Sequence, residues 1–508
     1  MVVLVPEVRR LKPLAWPVLP VALAGLGLHL WVNATSPYGF HRDELLYLAM
    51  GRHLRLWRMD FPPGIAMIAE GTRAALGDSL VAVRTLPAVA GALLVVAAAL
   101  FARELGGGRR AQVLAAIAVA ASPLFLRAAG LFQPVVFDQL VWTVALFALA
   151  RLCWRPDGRW WLALGLALGV GLLVKFSIAF IGLAIVVGIL ATRLRRSLLG
   201  PWPWVALVLA LAIGSPSLVG QWALDYPVLG QMRDLREVQL ERVTPADFLV
   251  GQLLWGPGVV LAAIGLLTLL LARRWDRVRA LGWTCAAAFA ILLLLKGKSY
   301  YVGPVYPALF AAGAVTLERS VFRWVLGLLV LAYGAVTLPL GVPILPPERM
   351  AAYIEEIGAT SALRTNTGEL ERLPQDYADM LGWEEQVRAV AGVYHELPEG
   401  ERREAVVLAG NYGEAGAIDF FGPRLGLPGA VSPTGSYWFF GPGELPGRVA
   451  VVIGPSREDL APFFDSLEVA GRVRHPWAVA EERDLPIFVA RRPHRTLQEI
   501  WPTLAGRN

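Results

Sequence analysis

Residues 13–34 read PLAWPVLPVALAGLGLHLWVNA, and the chain continues Thr35-Ser36-Pro37-Tyr38-Gly39-Phe40-His41-Arg42-Asp43-Glu44-Leu45-Leu46-Tyr47. The first stretch is an uncharged apolar run long enough to cross a bilayer, which takes about 17–25 residues. The second brings two adjacent carboxylates to the start of a segment with helical spacing. Reading outward, ten further apolar runs follow, near 81–102, 111–127, 138–152, 160–174, 176–192, 202–219, 248–271, 280–295, 302–316 and 324–341. The expected fold is a polytopic α-helical membrane protein of about 11 spans. The first run is too long for a signal-peptide core and lacks a small-residue cleavage site after it, so it is expected to be a retained helix.

Composition agrees. Of 508 residues, 56% are hydrophobic and only 17% are charged, where a soluble protein carries about 25% charged residues. This excludes disorder, and two cysteines in the whole chain exclude a disulfide scaffold. The charge is divided. Residues 1–341 hold 31 Lys and Arg against 16 Asp and Glu, a net of +15. Residues 342–508 hold 16 against 24, a net of −8, and the two sum to the chain's +7. The basic balance therefore belongs to a membrane part and not to a nucleic-acid binder. Residues 342–508 read as a separate soluble α/β domain, with strands at 405–409, 449–453 and 487–490 and a helix from about Glu458 to Leu467. The turn at Gly410 resembles a nucleotide-binding turn only loosely, and an accessory or acceptor-binding role is favoured.

Basic residues orient the set by the positive-inside rule. Arg and Lys residues at 9–12, 103–110, 151–159, 193–196, 273–279 and 319–323 fall in alternate loops. That places the N-terminus in the cytoplasm and, with an odd span count, the C-terminal domain outside. Eleven of the 16 carboxylates in the membrane part then fall on the outer side, among them Asp43, Glu44, Asp60 and Asp138.

The outer loop 35–80 is too long for a simple connection. After Asp43, Leu46, Met50, Leu54 and Trp57 recur at helical spacing, which predicts an amphipathic helix in the interface. Asp43 and Glu44 sit at its N-terminal end, where the helix dipole favours a carboxylate. Asp43 reads either as a helix cap or as a catalytic group. Asp60-Phe61-Pro62-Pro63-Gly64 breaks that helix and restarts the chain. Asp138 begins an apolar span, and reads either as its cap or as a functional group, the default for an ionisable residue there. His41 and His53, with Asp60, are candidates to contact substrate or a divalent metal; no cofactor is certain.

Four lysines stand against 43 arginines, and Lys175, Lys296 and Lys298 all lie at outer helix ends. With Tyr300 and Tyr301 they suit a lipid phosphate: ammonium groups attract the anion, and tyrosine rings sit at headgroup depth. Ordinary snorkelling is the alternative.

Phe40-His41-Arg42-Asp43-Glu44-Leu45-Leu46-Tyr47, Asp60-Phe61-Pro62-Pro63 and Lys296-Gly297-Lys298-Ser299-Tyr300-Tyr301 together resemble the motifs of the bacterial protein-mannosyltransferase superfamily. These are GT-C membrane glycosyltransferases, and they include the lipid A aminoarabinose transferases. Asn411-Tyr412-Gly413-Glu414-Ala415-Gly416-Ala417 and Ser436-Tyr437-Trp438-Phe439-Phe440-Gly441-Pro442 are similar to soluble tails of bacterial members. The resemblance implies an inverting transfer of sugar from a polyprenyl-phosphate donor to an extracytoplasmic lipid, glycan or protein, in the bacterial inner membrane. Asp43 would act as base with Glu44 and Asp138 in support. Lys296, Lys298, Tyr300, Tyr301 and Lys175 would hold the donor phosphate. Aminoarabinose transferases carry Glu-Lys where this chain has Asp60-Phe61, so donor identity does not carry over. A transporter or a noncatalytic envelope-binding protein remains the alternative.

Overall fold

The computed structural model describes residues 12–504 except 156, 239, 366 and 367. Among the described residues, seven helices are long and apolar enough to cross a membrane: Val18–Thr35, Leu80–Glu104, Pro134–Trp154, Trp202–Ala223, Arg273–Leu294, Ser299–Leu317 and Phe322–Gly341. Three more apolar segments are helix pairs bent by 66°, 104° and 109°: Arg109–Ala120 with Pro123–Ala129, Ile178–Leu190 with Arg193–Leu199, and Pro245–Trp255 with Gly258–Leu271. Gly158–Val174 is a shorter apolar helix. Each of the eleven expected runs thus corresponds to one of these segments. Their outward faces carry large apolar side chains such as Leu207, Val208, Trp324 and Leu328, all exposed.

Lipid offers no hydrophobic driving force between spans, so close approach depends on small residues. Helices 258–271 and 306–317 show this. A Cβ on Gly313 would stand 2.0 Å from the Leu261 carbonyl oxygen, and one on Gly265 would stand 2.1 Å from that of Leu309. The basic loops gather at one end of the bundle. There Lys12 donates to the Gly106 carbonyl, the Gly108 amide donates to Glu318, Arg151 pairs with Glu104 at 2.6 Å, and Arg277 lies over Trp154.

The opposite end carries the outer loop. His41, not Asp43, caps the helix Arg42–Arg52: its ring accepts from the Asp43 amide, while Glu44 reaches back to the His41 amide. The helix stops at Arg52, so Leu54 and Trp57 lie beyond the amphipathic helix expected through Trp57. It is also buried and not merely interfacial. One side packs on Gly64–Leu76, which starts right after the Pro62-Pro63 break, and another packs on Tyr412–Phe421.

That second contact comes from a five-stranded sheet. Its strands are β1 (Ala405–Ala409), β2 (Ala430–Val431), β3 (Val449–Ile453), β4 (Phe464–Arg474) and β5 (Asp484–Pro493). The order is β2-β1-β3-β5-β4, parallel among the first three and antiparallel at β5 and β4. Alternation splits the strands between two cores. Val407, Val451 and Val489 join one core, while Val406, Val452 and Phe488 join the other. The helix expected to run to Leu467 ends at Leu460, and Phe464 opens β4 instead. Pro462 lies in the break, where it lacks the amide a continuing helix needs.

The first of these cores continues into Leu45, Leu48, Met50, Ile65 and Val83 without a gap. The sheet and the outer loop therefore lie on the same side of the bundle. Glu44 fastens that side to the spans. Its carboxylate takes two bonds from Arg84, at 2.8 and 2.7 Å, plus the amides of Phe132 and His41 at 2.7 Å each. Both charged side chains are fully buried. Burial alone would raise the Glu44 carboxyl, but Arg84 and the two amides outweigh it and hold the group below the usual range. Removing one partner of a buried pair leaves an uncompensated charge and costs about 3–5 kcal/mol. Glu44→Gln should accordingly lower the melting temperature of the detergent-solubilised protein clearly, as followed by intrinsic tryptophan fluorescence. An unchanged melting curve would remove Glu44 from this anchoring role.

Candidate functional site

A cavity of about 650 Å³ opens between the span ends on the side that carries the loop 35–80. Its wall is mainly apolar, with Phe61, Ile65, Val174 and Leu292 among the lining, while Asp138, Lys175, Lys296, Tyr300 and Tyr301 supply charged and phenolic groups. Five of the expected site residues are thus brought to one space by three separate stretches of chain.

Asp138 is not a helix cap. The helix Pro134–Trp154 begins four residues earlier with Gln133 as its N-cap, so Asp138 projects from inside the first turns. One carboxylate oxygen accepts from Ser177 at 2.8 Å, and the Trp142 indole and the Lys175 ammonium also act on the group. A buried carboxylate in a cavity wall is a natural place for a substrate hydroxyl or amine. Lys175 lies over the Tyr301 ring at 5.4 Å, and Tyr300 meets Tyr301 edge to face at 4.8 Å. Lys296 is exposed and adopts a positive φ of 55°. Lys298 is half-buried and is not among the cavity-lining residues. Burial, then the charge of Lys175, push its ammonium down to about 8, with Asp43 pulling the other way.

Asp43 and Asp60 border this cavity region without lining the cavity itself. Asp43 accepts from the Tyr412 hydroxyl at 3.0 Å through one oxygen and from the Gln133 amide at 3.1 Å through the other. Its charge reaches Lys298 and also Tyr47, a cavity-lining residue one turn further along the same helix. Burial, reinforced by Asp43, holds the Tyr47 phenol well above its ordinary value, so it stays a donor. Asp60 is buried beneath the C-terminal unit. It accepts from Ser436 at 2.8 Å and Gln231 at 3.4 Å, and its backbone carbonyl accepts from Gln221 at 2.6 Å. Burial raises its carboxyl to about 6 against the pull of the Ser436 hydrogen bond.

The two histidines are kept apart, at opposite ends of an 11-residue helix, which spans about 16 Å. His53 stacks on Phe440 at 4.2 Å. His41 instead meets Asp376 at 3.6 Å and Asp379 at 3.8 Å, and these three could converge on a metal ion. The donor set fits a cation poorly. Arg127 contacts Asp376, and Arg42 lies 3.6 Å from Asp379, so guanidinium groups already answer both carboxylates. Among the described residues this cluster reads as an ion-pair hub tying residues 376–379 to the outer loop.

Arg84, Gln133, Ser177, Tyr412 and Ser436 belong to this region and were not anticipated. Arg84 lies within a run read as a span, and the tyrosine and serine lie hundreds of residues from their acids. At Gly410 the loose likeness to a nucleotide turn dissolves. The Gly410 and Asn411 amides are taken by the Glu414 carboxylate, at 2.7 and 3.1 Å, where a phosphate would have to sit.

Known proteins now give this geometry a context. Residues 60–219 match the family model described as dolichyl-phosphate-mannose-protein mannosyltransferase. That stretch contains Asp60, Asp138 and Lys175, but neither Asp43 nor the segment 296–301. No protein of curated function matches the chain significantly. Among solved structures the chain is similar to ArnT from Cupriavidus metallidurans bound to undecaprenyl phosphate, with a TM-score of 0.63 at 20% identity over 93% of this chain and 97% of that one. ArnT from the same organism in its apo state gives a TM-score of 0.62 at 20% identity, with the same coverage. The chain therefore has an ArnT-like GT-C fold over nearly its whole length, as a multi-pass membrane protein with a small C-terminal sheet unit.

Proposed function

We propose that the chain is a glycosyltransferase that moves a sugar from a polyprenyl-phosphate donor to an acceptor hydroxyl on the outer face of the membrane, inverting the anomeric centre. One observation carries the reading. A largely apolar cavity at the outer ends of the spans collects lysines and tyrosines from separate segments beside two acid groups, in the fold of a protein crystallised with undecaprenyl phosphate. An apolar wall suits a prenyl chain, and cations with phenols suit its phosphate.

In this reading Asp43 takes the proton from the acceptor hydroxyl as that oxygen attacks the anomeric carbon. The bond from that carbon to the phosphate oxygen breaks, and undecaprenyl phosphate leaves carrying the added charge. Lys175, Lys296 and Lys298, with Tyr300 or Tyr301, stabilise that charge as it develops. Asp138 offers its carboxylate to the sugar or acceptor. Glu44, with all its acceptor positions engaged, supports Asp43 by fixing the helix that carries it. His41 and His53 take no part in a metal site here, and Asp60 is a polar contact at the edge of the acceptor space. The segment 1–341 is the transfer unit, and 342–508 covers it. The acceptor is a lipid, glycan or protein of the cell envelope, in a bacterial inner membrane with the N-terminus cytoplasmic.

A transporter reading has the cavity in its favour but no internal repeat in the sequence to build alternating access. Mass spectrometry of envelope lipids, glycans and proteins, with and without this protein, should reveal a sugar that depends on it. Flux of solute into proteoliposomes with no such product would replace the transferase reading by the transporter one.

Asp43→Asn should lower turnover of a labelled undecaprenyl-phosphate sugar by about 10²–10⁴-fold, the usual loss for a general base. Its melting temperature and its binding of undecaprenyl phosphate should remain close to wild type. Near-normal turnover would take the base role away from Asp43.

Lys175→Ala combined with Lys296→Ala should weaken undecaprenyl phosphate binding and also reduce turnover at saturating donor. The second effect arises because phosphate charge grows toward the transition state. Snorkelling lysines would leave both quantities unchanged, and that result would end their assignment to the phosphate.

A further inference from the structure

Two of the four candidate carboxylates, Asp43 and Asp60, are held by side chains that come from the C-terminal unit. Tyr412 opens the helix that follows β1, and its hydroxyl donates to Asp43. Ser436 opens the short helix Ser436–Phe440, and its hydroxyl donates to Asp60. The placement of Tyr412 is built, not incidental. Asn411 caps the helix by accepting from the Gly413 and Glu414 amides at 2.8 and 3.1 Å, and its own amide donates to Glu482 at 2.7 Å. The Arg42 guanidinium lies over the Tyr412 ring at 5.1 Å. At Gly416 a Cβ would stand 2.8 Å from the Leu45 carbonyl carbon, so the missing side chain lets the two helices touch.

We propose that Tyr412 is a positioning residue for the reaction at Asp43, so that the C-terminal α/β unit completes the site instead of merely covering it. The proposal rests on the glycosyl-transfer reading above. The Asp43 carboxylate is gripped at two points: Tyr412 on one oxygen and Gln133, from the second outer loop, on the other. Rotation of the carboxylate about its own bond breaks both contacts. Each oxygen still has acceptor capacity left, so an incoming hydroxyl meets a base whose plane is fixed. Without the phenol only one grip remains. Burial and the charge of Asp43 keep the Tyr412 phenol protonated, so it remains a donor across the working range. The groups that feel the Asp43 charge are Tyr47 on its own helix, Lys298 and Tyr300 from the late lysine–tyrosine segment, Asp379, and Tyr412. Among the described residues, Tyr412 and Gln133 hold its carboxylate by side-chain hydrogen bonds.

The test uses the full-length protein in detergent or liposomes, with Tyr412→Phe. Tyr412→Phe keeps the ring, its packing and its contact with Arg42. It should lower kcat for a labelled undecaprenyl-phosphate hexose by about 10- to 100-fold, the range set by one hydrogen bond to a charged group. The apparent KM for donor, the binding of undecaprenyl phosphate and the melting temperature should stay at wild-type values. A drop in melting temperature with unchanged kcat per folded molecule would mean a structural contact only, and would overturn the proposal. So would a wild-type kcat in Tyr412→Phe. A wild-type protein that binds undecaprenyl phosphate but transfers no sugar, or binds none, would instead overturn the transferase reading, and this proposal with it.

Discussion

Everything on the outer face depends on where the Glu44–Arg84 pair is made. A carboxylate removed from water costs several kcal/mol unless every lone pair finds a donor. Glu44 meets that condition with Arg84, His41 and Phe132, which bring together the outer helix, the span Leu80–Glu104 and the second outer loop. Arg84 also donates to the Gly39 carbonyl, so the chain leading into the helix is fixed by the same guanidinium. Three backbone segments are thereby held to a single point. Asp43, the preceding residue, points about 100° away around the helix. The two neighbouring acids are divided by geometry: one is saturated and buried, and the other is left with spare acceptor capacity.

The C-terminal unit meets this arrangement through a continuous apolar core. Leu45 and Met50 on one side and Val407, Ile418 and Val451 on the other belong to a single cluster. A cover attached by polar contacts alone would be free to lift. One that shares a core with the outer helix sets the position of the side chains it contributes, and this is why a tyrosine 369 positions away can reach Asp43 with hydrogen-bond geometry.

The spans were legible because run length is a direct physical requirement of the bilayer, and three of the five strands because β-branched runs are bounded by polar loops, whereas the two-residue β2 and the long β4 carry no such run. The adjacent acids were legible as a pair but their roles were not. Capping looked open to Asp43, yet the ring of His41 takes it, a choice that depends on side-chain geometry. Arg84 was hidden inside an apolar run, where one charge did not interrupt the span signal. The helix from Arg42 was read too long because Leu54 and Trp57 fit its period, whereas His53 turns away to stack on Phe440, a residue nearly 400 positions on. Asp376 and Asp379 lay outside the acid set considered because their meeting with His41 is tertiary.

Lys298 links this electrostatic arrangement to the proposed chemistry. Its ammonium is pushed down to about 8 by burial and by Lys175, while Asp43 opposes that shift. On the proposed donor reading, a phosphate beside Lys298 would favour its charged form, and more so as the reaction proceeds, because the departing phosphate monoester carries more charge than the diester it came from. The lysine would then be held in its charged form most strongly when the leaving group needs it, which favours the transition state over the bound donor.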